Sequence, residues 1–351
     1  MQLRFELAHE QDDEGLRALL RRTSMPGPIS PAFLREPSFF TAERAGNLES
    51  QVIVARDAAN GTIVGVGCRG IRRMYCNGSE TTAGYLSMLR GDPAARGGTG
   101  LARGYRFLRQ LHADGKTRFY VTTILDENRD VQALLTSGRA GLPSYTPAGA
   151  LRTFLIPLRH RRKRAASPGV ATATPELLPD ALRCLDAWNR RHQFAPVVSE
   201  RDLAAMPHLY VHPRGTFAVW DQHSFKQTVV TSYALPLLLA RPFYNAVAWL
   251  RRRPPLPPPG GAIRLVYGAF LSAAEDDPDV FSALVDHACA EWSGRGCDYL
   301  AAGLAREHPL AAVLASRAAR FIDSTLYTVS WTDEENPTLD SRLPHVEIAT
   351  L

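Results

Sequence analysis

Residues 84–108, GYLSMLRGDPAARGGTGLARGYRFL, constrain the fold more than any other stretch. Tyr85, Leu86, Met88 and Leu89 are bulky and apolar, as in a strand. Asp92-Pro93 ends that strand, because proline has no N–H for a ladder. A basic, glycine-rich turn follows at Arg96-Gly97-Gly98-Thr99-Gly100, and Leu101, Tyr105 and Leu108 then recur at helical spacing. Strand, glycine turn and helix in that order predict an anion seat. A helix N-terminus has unpartnered N–H groups and partial positive charge, glycines let a ligand approach the backbone, and Arg96 adds a full charge. A glycine turn without a ligand fits the same residues. No Gly-Lys-Ser/Thr follows, so this is not a P-loop, and Gly97, Gly98 and Gly100 are too tightly clustered for a dinucleotide fingerprint.

Elsewhere the pattern predicts a mixed α/β sheet. Residues 2–8 alternate as a strand. Residues 12–22 form a helix with acids at its start and Arg21-Arg22 at its end. Asn60-Gly61 and Asn77-Gly78 mark turns between the strands 51–57, 62–76 and 82–90. A helix over 98–113, a strand over 118–125, a short helix over 129–137 and a strand over 149–158 complete a first unit, residues 1–160. The segment 25–38 reads as a loop or short helix that covers a substrate.

The basic run Arg159–Arg164 reads as a solvated linker. A second unit, 171–351, is expected to hold a first helix near 177–188, strands at 208–219 and 262–273, then helix 278–293, strand 297–303, helix 308–318 and strand 321–331. Its counterpart of the glycine turn, Ala273–Pro278, is acidic and lacks glycine, so a pyrophosphate would be repelled there.

The first unit resembles the GNAT acyltransferase superfamily. Pro93-Ala94-Ala95-Arg96-Gly97 matches the Pro-x-x-Arg-Gly half of its coenzyme A loop, and Gly98-Thr99-Gly100 followed by Ala102 matches the Gly-x-Gly half, in registers one residue apart. The resemblance implies two GNAT-like domains in tandem, the second degenerate. It implies an acyl-CoA-dependent N-acyltransferase that moves an acetyl or other acyl group from coenzyme A to a small-molecule amine or peptide acceptor. Leu89, Arg90, Gly91, Arg96, Gly97, Gly98, Thr99, Gly100, Leu101 and Asn128 would then hold the cosubstrate, with a backbone N–H near a bulge at Leu89 polarising the thioester; Gly91 either relaxes that bulge or ends the strand. In Asn128–Leu135 the resemblance puts Leu135 where the proton-donating tyrosine belongs, which makes Tyr145 the substitute. Asp126 and Glu127, at a strand end, are the candidate bases.

A non-catalytic acyl-CoA sensor or scaffold, and an aminoacyl or fatty-acyl transferase acting on cell-wall or lipid acceptors, are the alternatives. The hydrophobic run Val229–Leu250 supports the latter. Pro236, Pro242, Arg241 and Asn245 oppose a membrane span there, leaving a buried broken segment, the reading we favour, or an interfacial helix touching a membrane surface.

Net charge is +6, almost all of it arginine, since Lys116, Lys163 and Lys226 are the only lysines. The charge is spread along the chain without an aromatic-basic platform, so no nucleic-acid partner is expected. The five cysteines form no CxxC pair, and the histidines have no metal-ligand spacing, so no disulfide framework and no metal are expected. The polar, acidic N-terminal stretch points to the cytoplasm. The alternating tail Pro344–Leu351 predicts a strand able to extend a sheet, within the chain or across a homodimer.

Overall fold

The computed structural model describes residues 1–95, 99–158, 168–251, 253–331 and 336–351; the basic linker 159–164 lies outside them. The first half runs β1 (Leu3–Leu7), α1 (Asp13–Arg22), β2 (Ile29–Leu34), α2 (Phe39–Arg44), β3 (Glu49–Asp57), β4 (Ile63–Cys76), β5 (Ser79–Gly91), α3 (Gly100–His112), β6 (Tyr120–Leu125), α4 (Arg129–Leu135) and β7 (Ser144–Pro157). The second half runs β8 (Ala171–Thr172), α5 (Leu178–Asn189), α6 (Glu200–Ala204), β9 (Leu209–His212), β10 (Gly215–Asp221), β11 (Gln227–Tyr233), α7 (Leu235–Leu250), β12 (Ala262–Ile263), β13 (Leu265–Ala273), α8 (Pro278–Trp292), β14 (Tyr299–Ala305), α9 (Ala311–Ala315) and β15 (Arg320–Ser330).

Twelve strands form one mixed sheet in the order β1-β3-β4-β5-β6-β15-β7-β14-β13-β10-β9-β8. The halves repeat one plan. In each, a parallel pair is bridged by a helix: β5 and β6 by α3, β13 and β14 by α8. Each half then gives its last strand to the other. β15 pairs antiparallel with β6, β7 pairs antiparallel with β14, and β7 and β15 pair with each other at the centre. The two units expected from sequence therefore share one sheet.

The helices bury apolar stripes against this sheet. Leu16, Leu19 and Leu20 of α1 are at most 1% exposed and pack with Val52, Val54, Ile63 and Val66. Each such leucine contributes about 1.5–3 kcal/mol relative to exposure. Along β5, Gly84 is opposite Tyr120 of β6, and a Cβ there would lie 2.0 Å from the Tyr120 ring. Only glycine lets the strand approach that ring.

Four expectations are corrected. Residues 25–38 are not a covering loop: they contain β2, which pairs with β11 across the two halves in a separate three-stranded sheet, β12-β11-β2. Residues 208–219 form two strands, β9 and β10, turned at Pro213-Arg214. The run 229–250 is not a buried broken segment: its start, 229–233, belongs to β11 and α7 follows, in which Ala248 is the buried residue. The tail 344–351 forms no strand; it makes one bridge at Pro344 and a 3-10 turn at Ile348–Thr350, with Val346, Ile348 and Ala349 buried.

Candidate functional site

β5 and β6 pair only at Gly84 with Tyr120 and Tyr85 with Val121, then diverge. On its other side β5 loses register with β4: Ser87 faces Cys68 and Arg90 faces Val66, so Met88 and Leu89 together face Gly67. Two residues against one is a β-bulge, which frees backbone groups from the ladder. Met88 holds a left-handed φ of 54°, an uncommon conformation for a non-glycine residue that marks a stressed point next to the split.

Leu89 lies in the bulge and is exposed; Arg90 donates to the Leu89 carbonyl oxygen at 2.9 Å. Gly91 does not relax the bulge. It pairs in register with Gly65 and ends the strand, and the left-handed residue is Met88. Arg96, Gly97 and Gly98 lie outside the described residues. The turn before them is fixed by Asp92, whose carboxylate accepts from the Ala94 N–H and from Arg22 of α1 at 2.8 Å. After them, Thr99 stands at the N-cap of α3 without a side-chain cap bond, followed by Gly100 and Leu101. Arg103 donates to the Leu3 carbonyl oxygen at 2.6 Å, which ties this helix to β1.

The other expected residues follow β6 or lie on β7. Asp126 accepts from Thr325 of β15 at 2.8 Å and from Gln132 at 3.5 Å. Glu127 is exposed. Asn128 is the N-cap residue of α4, but its side chain makes no cap bond. Tyr145 lies on β7, with β15 between it and β6, and its hydroxyl is hydrogen-bonded to that of Tyr105. Burial and that neighbour push the Tyr145 phenol well above its ordinary value. The phenol at the split is Tyr85, whose hydroxyl meets Thr123 Oγ1 of β6 at 3.0 Å.

A small cavity opens at the bulge. It is lined by Arg35, Glu43, Asn47 and Arg72, by Ser87 and Met88, by Gln222 and Lys226, and by Ala349–Leu351. Sequence reasoning missed Glu43. It is 7% exposed, on the same face of α2 as buried Phe39 and Phe40, and an acid on an apolar face is the signal that was there to read. Ser38 caps α2, and Asp13 of α1 accepts from both Ser38 Oγ and the Phe39 N–H, so α2 is fixed in place. Glu43 Oε1 accepts from Ser87 Oγ at 3.0 Å, one residue before the bulge. Burial, with Glu43 close by, pushes the Cys68 thiol well up.

The cavity is rich in cations. Arg72 donates to Asn47 and to Thr350 and lies 4.0 Å over the Tyr85 ring. Lys226 donates to the Ala349 carbonyl oxygen and to a main-chain oxygen of Leu351. Burial, and then Arg35, hold the Lys226 ammonium well below its usual range. A larger cleft of about 400 Å³ runs along β1 and α3, lined by Arg4, Arg103 and Arg106, but it holds none of the bulge residues. At the smaller cavity a freed backbone, a carboxylate and cations converge. Among the described residues no group of three His, Cys, Asp or Glu side chains is arranged to hold a metal ion.

No family description matches the sequence, and no curated protein does. The fold does have solved neighbours. Saccharomyces cerevisiae N-myristoyltransferase with bound myristoyl-CoA aligns over 98% of this chain and 84% of its own, at 9% identity and a TM-score of 0.66. A second structure of that enzyme aligns over 96% and 87%, at 11% identity and 0.63. A GCN5-related glucosamine N-acetyltransferase region of a fungal multi-domain β-N-acetylglucosaminidase covers 93% of this chain and 38% of its own, at 12% identity and 0.58. The chain therefore has a GNAT-like fold, present twice in tandem.

Proposed function

We propose that this protein is an acyl-CoA-dependent N-acyltransferase whose first half carries the reaction. The observation that carries the reading is the left-handed bulge at Met88, beside the point where β5 and β6 part. A main-chain N–H released from the ladder there can donate to a thioester carbonyl oxygen as negative charge develops on it. The loop at Arg96–Gly100 and the N-terminus of α3 would take the pyrophosphate, which the lack of a side-chain cap at Thr99 supports.

Glu43 is the general base in this reading. The acceptor nitrogen attacks the thioester carbon and the C–N bond forms. The nitrogen's proton passes to Glu43, the C–S bond breaks, and the proton ends on the departing thiol. Products are the N-acyl acceptor and free coenzyme A. The second half would not turn over, because carboxylates fill both of its equivalent positions. Asp277 accepts from the Asp279 and Val280 N–H groups at the start of α8, and Glu347 occupies its bulge.

Free-thiol release tests the reading. Acetyl-, octanoyl- and myristoyl-CoA are each offered with an amine panel, alongside thermal-shift titration. A shift plus acceptor-dependent thiol release supports the enzyme. A shift without release with any acceptor favours the sensor, and the absence of both overturns the assignment.

One observation favours a membrane-linked version. Helix α7 turns its polar residues inward, where Asn245 holds Leu256, and its apolar residues outward. Leu239, Phe243, Trp249 and Leu250 are each at least 73% exposed. No helix of the described residues is long and apolar enough to cross a membrane. A surface-lying helix beside Arg251 and Arg253 suits a long-chain acyl donor or a lipid-borne acceptor.

A further inference from the structure

We propose that the acceptor carries a carboxylate close to its amine, as an amino acid does, and that Arg35 binds this carboxylate. The inference rests on the acyltransferase reading and specifies its second substrate.

Arg35 is 6% exposed. Its Nε has no partner among the described residues. Among the described residues its terminal nitrogens reach only the Leu34 carbonyl oxygen at 3.4 Å and the Met88 sulfur at 3.5 Å, both at the long limit. A guanidinium has five N–H groups in a fork that fits a carboxylate, and leaving such a cation buried without one is costly. The other two cations of the cavity are committed, Arg72 to Thr350 and Lys226 to Ala349 and Leu351. The carboxylate whose field reaches Arg35 is Glu43, and Glu43 is held by Ser87. One cationic fork is left over, next to the bulge.

An acceptor atom is left over in the same cavity. Gln222 is 1% exposed; its Nε2 donates to the Ala349 carbonyl oxygen at 2.8 Å, which sets the amide's orientation, and its Oε1 has no partner among the described residues. An unmet guanidinium and an unmet carbonyl oxygen match a carboxylate and an ammonium on one small molecule. With the ammonium near Gln222 and Glu43, its first proton passes through Glu43 to solvent, which delivers the neutral amine beside Met88; the second, lost after attack, is the one the departing thiolate takes. The space between these side chains is about 20 Å³ as they stand; that is room for a carboxylate, so the rest of the acceptor needs the flanking side chains to move, and a nucleotide is shut out.

The test is thermal-shift and calorimetric titration of the full chain with glycine, alanine and phenylalanine, each against its amide, with and without coenzyme A. The acids are expected to bind and the amides to bind at least tenfold more weakly. Arg35→Gln should lose about thirtyfold in affinity for the acids while keeping its coenzyme A shift; Arg35→Met, which removes a buried charge without a cavity, serves as the folding control. Equal binding of acids and amides, no binding of any acid, or wild-type acid affinity in both variants overturns the proposal. Carboxylate binding that needs Arg35, in a protein that ignores coenzyme A, supports the Arg35 site and sinks the acyltransferase reading instead.

Discussion

The Phe270 N–H donates to Glu347 Oε2 at 2.8 Å. Phe270, with φ 50°, is the second half's equivalent of Met88: both sit at a register shift in the strand before the bridging helix. The carboxylate thus lies where a thioester oxygen would lie in a working half. Glu347 is buried, and burial pushes its carboxyl up to about 7, against the lowering effect of the Phe270 and Ala349 N–H groups.

That shift has a sign. A carboxyl whose folded value exceeds its unfolded value of about 4.3 adds stability that is fully present at low pH and lost as pH rises toward 7. Buried histidines act oppositely. Burial holds His192 down to about 4 and His308 and His345 below their usual range, so their share is present near neutrality and lost in acid. Glu347→Gln keeps an oxygen for Phe270 and removes only the first contribution. Urea unfolding should show the variant level with wild type near pH 4.5 and more stable, by about 2–3 kcal/mol, at pH 8. A constant difference across that range would mean that Glu347 does not titrate in the fold.

Glu43→Gln should lower kcat/KM at least about a hundredfold at neutral pH, with the acyl-CoA-induced thermal shift retained. The amide still accepts from Ser87, so the loss reports the proton and not the packing. Unchanged turnover in a folded variant would move the base elsewhere, with Asp126 and Glu127 next in line.

How much of this was readable depended on the range of each interaction. The strand–turn–helix order at 84–108 and the turns at Asn77-Gly78 and Gly61 were readable because local backbone chemistry sets them; Asn77, Gly78 and Gly61 do hold left-handed conformations. The exchange of β7 and β15 was not, since strands whose paired residues lie 142 or more apart in sequence carry no mutual mark in either one. Attention fell on Gly91 because glycine is the usual residue for a strained backbone, whereas the structure puts the strain on Met88. Gln222 and Arg35 come from different halves and line one cavity, which the pairing of β2 with β11 helps to assemble.

Strand exchange predicts that neither half folds alone. Residues 1–158 leave β6 without β15, and expose on β7 the edge that β14 covers; open edges of this kind aggregate. Each half expressed separately should be insoluble or lack protected amides in hydrogen exchange, and co-expression should restore one soluble complex. A soluble, cooperatively unfolding first half would show that β7 can return to β6 unaided.

The outward face of α7 gives the last prediction. Leu235, Leu239, Phe243 and Leu250 share one side of the helix, Trp249 lies at its edge, and all are more than 60% exposed. Water tolerates such a patch poorly, whereas an anionic bilayer would take the apolar side chains into its boundary and hold Arg251 and Arg253 at its headgroups. The chain should co-sediment with vesicles containing about 30% phosphatidylserine and less with neutral vesicles, and salt should weaken the binding. Leu239→Asp with Phe243→Asp should abolish it without lowering Tm, since neither side chain packs inside the protein. A concentration-dependent dimer that the same two substitutions dissociate, with no vesicle binding, would assign the face to a second copy of the chain.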